Sequence, residues 1–397
     1  MGKIKRFEII YSRDTGTFYA GESVDGMVVV ELTESMKIRG VKLRYVGEAF
    51  VHYKDPTDHS EKKTYFDESI IIYGNQNASF ATDNPVLEAG VHEFAFSFSL
   101  PQQLISSFED KRGHVRYCCK AYLHRPWKFD HTTKKAFTGL SIVDLNQEPL
   151  AFTKGDGHTE QRFSLSDRLL SCVRGGLSVQ VKTDRCGFVP GEVIALNAEV
   201  LNNSSKAVSK VEAYLQQDVV CKTKTASKYF PCAQKIAVIT HGPLKRGEAL
   251  VWDREPMTLP SLPPTKLGGC TLISVEYSLK FKVYLETGKE LVMTIPIVIG
   301  TIPLHSAPVN WAPESLQSPR PSVPPLQTQP SAPPLEDYLG PPPSYEECAF
   351  MDPSDIRDSD DDQHTVGDRT YRPRYPLYPT LPRMSRTGER SPLPTPD

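Results

Sequence analysis

The sequence predicts an all-β chain: two tandem immunoglobulin-like β-sandwich domains, then a disordered proline-rich tail. Three observations lead there. Short runs rich in β-branched and aromatic residues follow one another from Arg6 to about Ile302, and none shows a sustained i, i+3, i+4, i+7 stripe. A block in the first half recurs in the second at a fixed offset. Beyond Ile302 the composition changes, with 21 of the 34 prolines in the last 95 residues.

The first sandwich is assigned to residues 1–150. Phe7-Glu8-Ile9-Ile10-Tyr11, Met27 to Leu32 and Val41 to Val46 read as strands, and Phe94 to Leu100 alternates cleanly, so its three phenylalanines share one face. Turn-forming clusters such as Asp14-Thr15-Gly16 and Gly74-Asn75-Gln76-Asn77 separate the runs. A linker is expected over 151–170 and a second sandwich over 171–302. Phe18-Tyr19-Ala20-Gly21-Glu22-Ser23-Val24 matches Phe188-Val189-Pro190-Gly191-Glu192-Val193-Ile194, 170 residues on, and an alternating strand follows each. The glycine of each Gly-Glu pair is read as a turn residue free to take positive φ.

Residues 303–397 form the tail. Such a segment buries too little apolar surface to offset the entropy of ordering it, so disorder is expected. The acidic run Asp358-Ser359-Asp360-Asp361-Asp362 reads as solvated spacer, and the pairs Lys62-Lys63 and Lys134-Lys135 as solvated faces.

Several function classes find no support. The net charge is −2, so no global field points to nucleic acid or to an anionic membrane. The start lacks an apolar signal region, Arg6 stands where myristoylation wants Ser or Thr, and no run is long enough to span a bilayer. Eight cysteines without a C-x-x-C pair read as reduced thiols of a cytoplasmic protein. Phosphate-loop, dinucleotide, zinc-protease and serine-hydrolase signatures are missing from the sequence. No catalytic residue, metal ligand or cofactor is therefore assigned, and the chain is read as a non-enzyme.

The chemistry-bearing signals lie in the tail. Pro342-Pro343-Ser344-Tyr345 is a P-P-x-Y motif. Proline pre-sets an extended backbone, so an aromatic-lined groove of a WW domain binds it at little ordering cost, with Tyr345 as the anchor. Pro330-Ser331-Ala332-Pro333 is similar to the peptides bound by the UEV domain of the ESCRT-I complex. Leu377-Tyr378-Pro379-Thr380-Leu381 fits the L-Y-P-x-L pattern read by Bro1-type ESCRT adaptors.

Paired sandwiches with this tail resemble the α-arrestins, the arrestin-domain-containing proteins. Leu100-Pro101, Ser106-Ser107-Phe108-Glu109, Gly113-His114-Val115-Arg116-Tyr117, His124-Arg125-Pro126-Trp127 and Asp144-Leu145-Asn146 are similar to that family's first-domain signature. Pro190-Gly191-Glu192, Val275 to Leu279 and Pro296 to His305 extend the match through the second domain. The similarity is strongest to the branch of arrestin-domain-containing proteins 2, 3 and 4, with the thioredoxin-interacting protein nearby. Two departures stand out. Where that branch carries a second P-P-x-Y, this chain reads Tyr371-Arg372-Pro373-Arg374-Tyr375-Pro376-Leu377-Tyr378, with Tyr375 in place of the first proline. Ala249 also stands where the thioredoxin-interacting member has its reactive cysteine, which argues against a thioredoxin-inhibitor role.

The resemblance implies an adaptor. The body would bind membrane receptors or transporters, and Pro342, Pro343 and Tyr345 would recruit a WW-containing HECT ubiquitin ligase for ubiquitination, endocytosis and endosomal sorting. It would act from the cytoplasm at plasma membrane and endosomes, with peripheral association through cargo and no nucleic-acid partner. The alternative is an ESCRT-recruiting vesicle-budding factor using the P-S-A-P and L-Y-P-x-L motifs.

Overall fold

In the computed structural model, residues 3–54, 58–74, 84–161, 176–223, 228–305, 342–358 and 361–379 are described. They form two β-sandwiches joined end to end. In the first, a three-stranded sheet (Ile4–Tyr11, Ser23–Leu32, Gly90–Ser99) packs on a larger sheet ordered Thr17–Tyr19, His131–Leu140, Gly113–His124, Gly40–Lys54, Asp58–Gly74. The alternation read from the sequence sets which face is inside. In Gly113–His124, Val115, Tyr117, Cys119, Ala121 and Leu123 are buried, and the residues between them face outward. Phe96 and Phe98 join Tyr11, Phe18, Phe137 and Tyr45 in an aromatic core.

The second sandwich repeats the plan with Gly155–Gln161, Leu177–Thr183, Val193–Asn202 and Ala249–Thr258 in one sheet. The other is ordered Gly187–Phe188, Glu290–Ile299, Ile273–Leu285, Val208–Thr223, Lys228–His241. Among the described residues no helix is long and apolar enough to cross a membrane.

The internal repeat is a repeat of hydrogen bonding as well as of sequence. Gly21 and Gly191 both take positive φ, 79° and 93°. Each following glutamate turns back on its own strand: the Glu22 carboxylate accepts from the Tyr19 N–H at 2.7 Å, and Glu192 from Val189 at 2.9 Å. Each also holds an arginine, Arg13 at 2.6 Å and Arg185 at 2.7 Å, and those guanidiniums lie over Phe18 and Phe188. The short strand before each turn pairs in parallel with a long strand near the domain end.

The domains meet through backbone contacts. Thr301 donates its N–H to the Val143 carbonyl at 2.9 Å, while its hydroxyl accepts from the Val143 N–H at 2.8 Å. The Asn146 amide group ties to Pro303 and His305. Close approach demands glycine here: a Cβ on Gly268 would come within 2.3 Å of Ser141 Cβ.

Two expectations need correction. Gly155–Gln161, placed in the linker by sequence, is an edge strand paired antiparallel with Leu177–Thr183. Its sequence, Gly-Asp-Gly-His-Thr-Glu-Gln, carries no apolar alternation, because it is held by backbone ladder bonds. Residues 342–358 and 361–379, expected to lack structure, are laid on the body and span both domains. Of the expected tail, 303–305 are also described and the rest, with Pro330-Ser331-Ala332-Pro333, Thr380 and Leu381, lies outside the described residues, as do most of the remaining linker residues, 162–170.

Candidate functional site: a P-P-x-Y strand docked on the two-domain body

Ser344–Glu347 pairs antiparallel with Arg374–Leu377, placing Tyr345 opposite Pro376 and Glu346 opposite Tyr375. A two-stranded ribbon of this length is marginal in water on its own. Its side chains are what hold it. Tyr375 is fully buried and donates its hydroxyl to the Ser107 carbonyl at 2.7 Å, in the first domain. Ser261 of the second domain donates to the Glu346 carbonyl at 2.8 Å. Cys348 and Met351 are buried in the same continuous core. Tyr371 donates to the Phe137 carbonyl at 3.0 Å.

Tyr378 ends the docked segment. Its hydroxyl donates to the Thr301 carbonyl at 2.6 Å and its N–H to the Pro190 carbonyl at 2.9 Å. The Gly191 turn makes room for it, since a Cβ there would sit 2.0 Å from the Tyr378 carbonyl oxygen. Leu377 and Tyr378, read from sequence as part of an L-Y-P-x-L motif, are thus a ladder residue and a buried anchor between the domains.

Within the P-P-x-Y motif, Pro342 and Ser344 are exposed, Pro343 is buried and Tyr345 is half-buried. The Tyr345 ring meets Tyr19 edge-on with centroids 6.5 Å apart, and burial raises its phenol above the ordinary value. A groove that grips Pro343 and Tyr345 needs both rings free and the backbone in polyproline II form. The docked strand offers neither.

Asp358 and Asp361 of the acidic run are also docked. Lys134, 2% exposed, donates to the Ile356 carbonyl at 2.6 Å and forms a close ion pair with Asp361; Asp358 lies 3.4 Å away. Lys120 reaches Asp361 at 3.0 Å. Burial alone would raise the Asp361 carboxyl, but Lys134, the Asp358 N–H···carboxylate bond and Lys120 outweigh it and hold it below the usual value. Thr365–Gly367 then adds a parallel strand to His131–Leu140. Lys134 and Asp361, both read as solvated, therefore neutralise each other across 227 residues of sequence. Lys62, by contrast, pairs at the surface with Glu48 at 2.5 Å.

The described cysteines are free thiols, and burial pushes Cys118 and Cys221 up to about 12 and Cys348 up to about 11. Ala249 opens the strand that carries buried Trp252. Among the described residues, no three His, Cys, Asp or Glu side chains converge as metal ligands.

Comparison with known proteins agrees with this architecture. The family described as Arrestin (or S-antigen), N-terminal domain, matches residues 7–146, and its C-terminal domain counterpart matches 174–304. The chain belongs to the α-arrestins, the arrestin-domain-containing family. It is similar to arrestin domain-containing protein 17 of Caenorhabditis elegans, with 32% identity over 80% of this chain and 75% of that protein. It is also similar to arrestin domain-containing protein 4 of Mus musculus, 28% identical over 76% of this chain and 73% of that protein. Arrestin domain-containing protein 1 of Homo sapiens is 30% identical over 82% and 71% respectively. Membership in this family points to an adaptor role in trafficking, in which the arrestin body binds partner proteins.

Proposed function

We propose that this α-arrestin couples membrane receptors or transporters to WW-domain HECT ubiquitin ligases through Pro342, Pro343 and Tyr345. One observation carries the reading. The motif lies on a four-residue ladder that belongs to neither sandwich sheet, with Pro342 and Ser344 exposed and Tyr345 packed against the core. Among the described residues its backbone pairs only with Arg374–Leu377 of the same tail, so its release breaks no strand pairing of either sandwich. Recruitment works by proximity: the ligase's chemistry is unchanged, and its local concentration near cargo rises. A single short motif binds at roughly micromolar strength, and a second attachment through cargo adds about 10² to 10⁴ in avidity.

The docked state adds a condition to this function. Ladder pairing and ligase binding compete for the same strand, so the apparent affinity is the intrinsic one reduced by the open fraction. The protein would act from the cytoplasm, at plasma membrane and endosomes. The vesicle-budding alternative is weakened at one motif, since Tyr378 is buried and hydrogen-bonded at both its hydroxyl and its N–H.

Reconstituted ubiquitin transfer tests the proposal. With a WW-containing HECT ligase, the chain itself becomes ubiquitinated, and Tyr345→Ala abolishes this while Pro330→Ala with Pro333→Ala leaves it intact. Equal transfer to wild type and Tyr345→Ala would sink it.

A further inference from the structure

The end of the first domain farthest from the second carries an unusual turn. Strand Gly113–His124 starts beside the second domain, where a Cβ on Gly113 would lie 3.3 Å from Ile273 Cδ1, and runs to the opposite tip. There Arg125-Pro126-Trp127-Lys128-Phe129-Asp130 turns the chain into His131–Leu140. Trp127 is 96% exposed and Phe129 76%. Large aromatics are expensive to leave in water, and a lone one is unremarkable, but two within one turn are not.

The turn is also built, not loose. Trp127 takes φ of 59°, a left-handed conformation that a bulky residue seldom adopts. Pro126 pre-sets the position before it. The Arg125 N–H donates to the Asp130 carboxylate at 3.2 Å, the Arg125 guanidinium donates to the Phe129 carbonyl at 2.9 Å, and His124 closes on Asp130 at 2.7 Å. One side of Phe129 rests on His364 of the docked tail, centroids 5.9 Å apart. The result is a turn fixed through its backbone that leaves two aromatic rings exposed.

Cations lie at the same end of the domain. Lys128 is exposed within the turn, and Lys37 and Arg39 lie at the same end, the Arg39 N–H donating to the His124 carbonyl at 2.8 Å. Of the acids at this end, Asp130 is held by His124 and the turn and Glu34 by Lys3 at 3.3 Å, while exposed Asp362 caps the His364 N–H at 2.8 Å. Indole rings flanked by Lys and Arg fit the headgroup region of an anionic bilayer, where the ring enters the acyl boundary and the ammonium groups meet phosphate.

We infer that Trp127 and Phe129, with Lys128, Lys37 and Arg39, form a membrane-docking tip that binds anionic phospholipid surfaces directly. This goes beyond cargo-mediated recruitment, and it stands whether or not the P-P-x-Y proposal holds. A tip of this size gives weak, reversible attachment, which orients the long axis of the body toward the membrane and adds to cargo binding.

The test uses the full chain carrying Trp311→Phe, so that tryptophan emission reports Trp127 against the buried Trp252. Vesicles of phosphatidylcholine, with and without phosphatidylserine, are titrated in, and co-sedimentation is measured in parallel. The expected result is a blue shift and co-sedimentation with phosphatidylserine vesicles that fade as salt rises. Trp127→Ala with Phe129→Ala should lower partitioning roughly tenfold or more, and Lys128→Ala roughly fivefold, at unchanged melting temperature. Unaltered partitioning of the double variant would overturn the inference, as would no partitioning of the parent chain. A concentration-dependent blue shift without vesicles would also overturn it, in favour of self-association at the tip.

Discussion

Replacing Tyr375 with alanine should strengthen ligase recruitment, although Tyr375 lies outside the P-P-x-Y motif. Its ring is fully buried and its hydroxyl is bonded to the Ser107 carbonyl at 2.7 Å. Truncating a large buried aromatic costs about 3–5 kcal/mol, and this cost falls on the docked state alone because the undocked tail exposes the ring. Each 1.4 kcal/mol changes an equilibrium about tenfold, so the open fraction rises by roughly 10² to 10³-fold or more, or until it reaches unity. Isothermal titration of an isolated WW domain into the full chain reads this directly. Tyr375→Ala should bind at least about tenfold more tightly than wild type and approach the affinity of a free peptide covering residues 329–351. Tyr375→Phe, which loses only the hydroxyl bond, should gain roughly fivefold. If wild type already binds as tightly as the peptide and Tyr375→Ala changes nothing, the docked ladder does not mask the motif and the reasoning fails.

Other outcomes follow from the same contacts. Asp361→Asn leaves Lys134 and Lys120 buried without their main counter-charge, toward the lower end of the ~3–5 kcal/mol typical for a broken buried pair, because Asp358 is still 3.4 Å from Lys134. Hydrogen exchange should then speed up across 361–379 while the sandwich cores stay protected. Asp361 has a native pKa below its unfolded value, so the unfolded state binds the proton first as pH falls. Its contribution is present in full above about pH 4 and is lost as pH drops through the lower native value, so tail protection should decline there in wild type and stay flatter in Asp361→Asn. Iodoacetamide at neutral pH should modify exposed Cys232 well before Cys118, Cys221 and Cys348, whose thiols burial keeps protonated, as peptide mapping by mass spectrometry would show.

The body was legible in the sequence because its signals are local. Gly21 and Gly191 mark identical turns, and Glu22 and Glu192 bond within three residues of themselves, so the repeat survives as text. Alternation in Gly113–His124 maps onto burial except at Lys120, which Asp361 of the docked tail covers. Gly155–Gln161 was not legible, because an edge strand held by backbone bonds needs no apolar side chains. The docked tail escaped for a different reason. Its partners are far apart in sequence: Lys134 with Asp361, Ser107 with Tyr375, Thr301 with Tyr378. No local pattern links such residues. Tyr375 shows this most clearly. Read locally it spoils a second P-P-x-Y, whereas in the fold it is the anchor that holds the first one down.

The Trp127 turn was visible only as part of a family signature. His124-Arg125-Pro126-Trp127 predicts membership, but neither the left-handed backbone at Trp127 nor the exposure of both rings can be read from four letters. Pro126 before a bulky residue was the one available hint of a tight turn.

The measurement that bears most directly on the central claim is binding of the intact chain to the isolated WW domains of a HECT ligase, with Tyr345→Ala and Tyr375→Ala beside wild type. The account predicts binding that is weak in wild type, roughly micromolar in Tyr375→Ala, and lost in Tyr345→Ala. Binding that survives Tyr345→Ala, or that stays absent even in Tyr375→Ala, would contradict it.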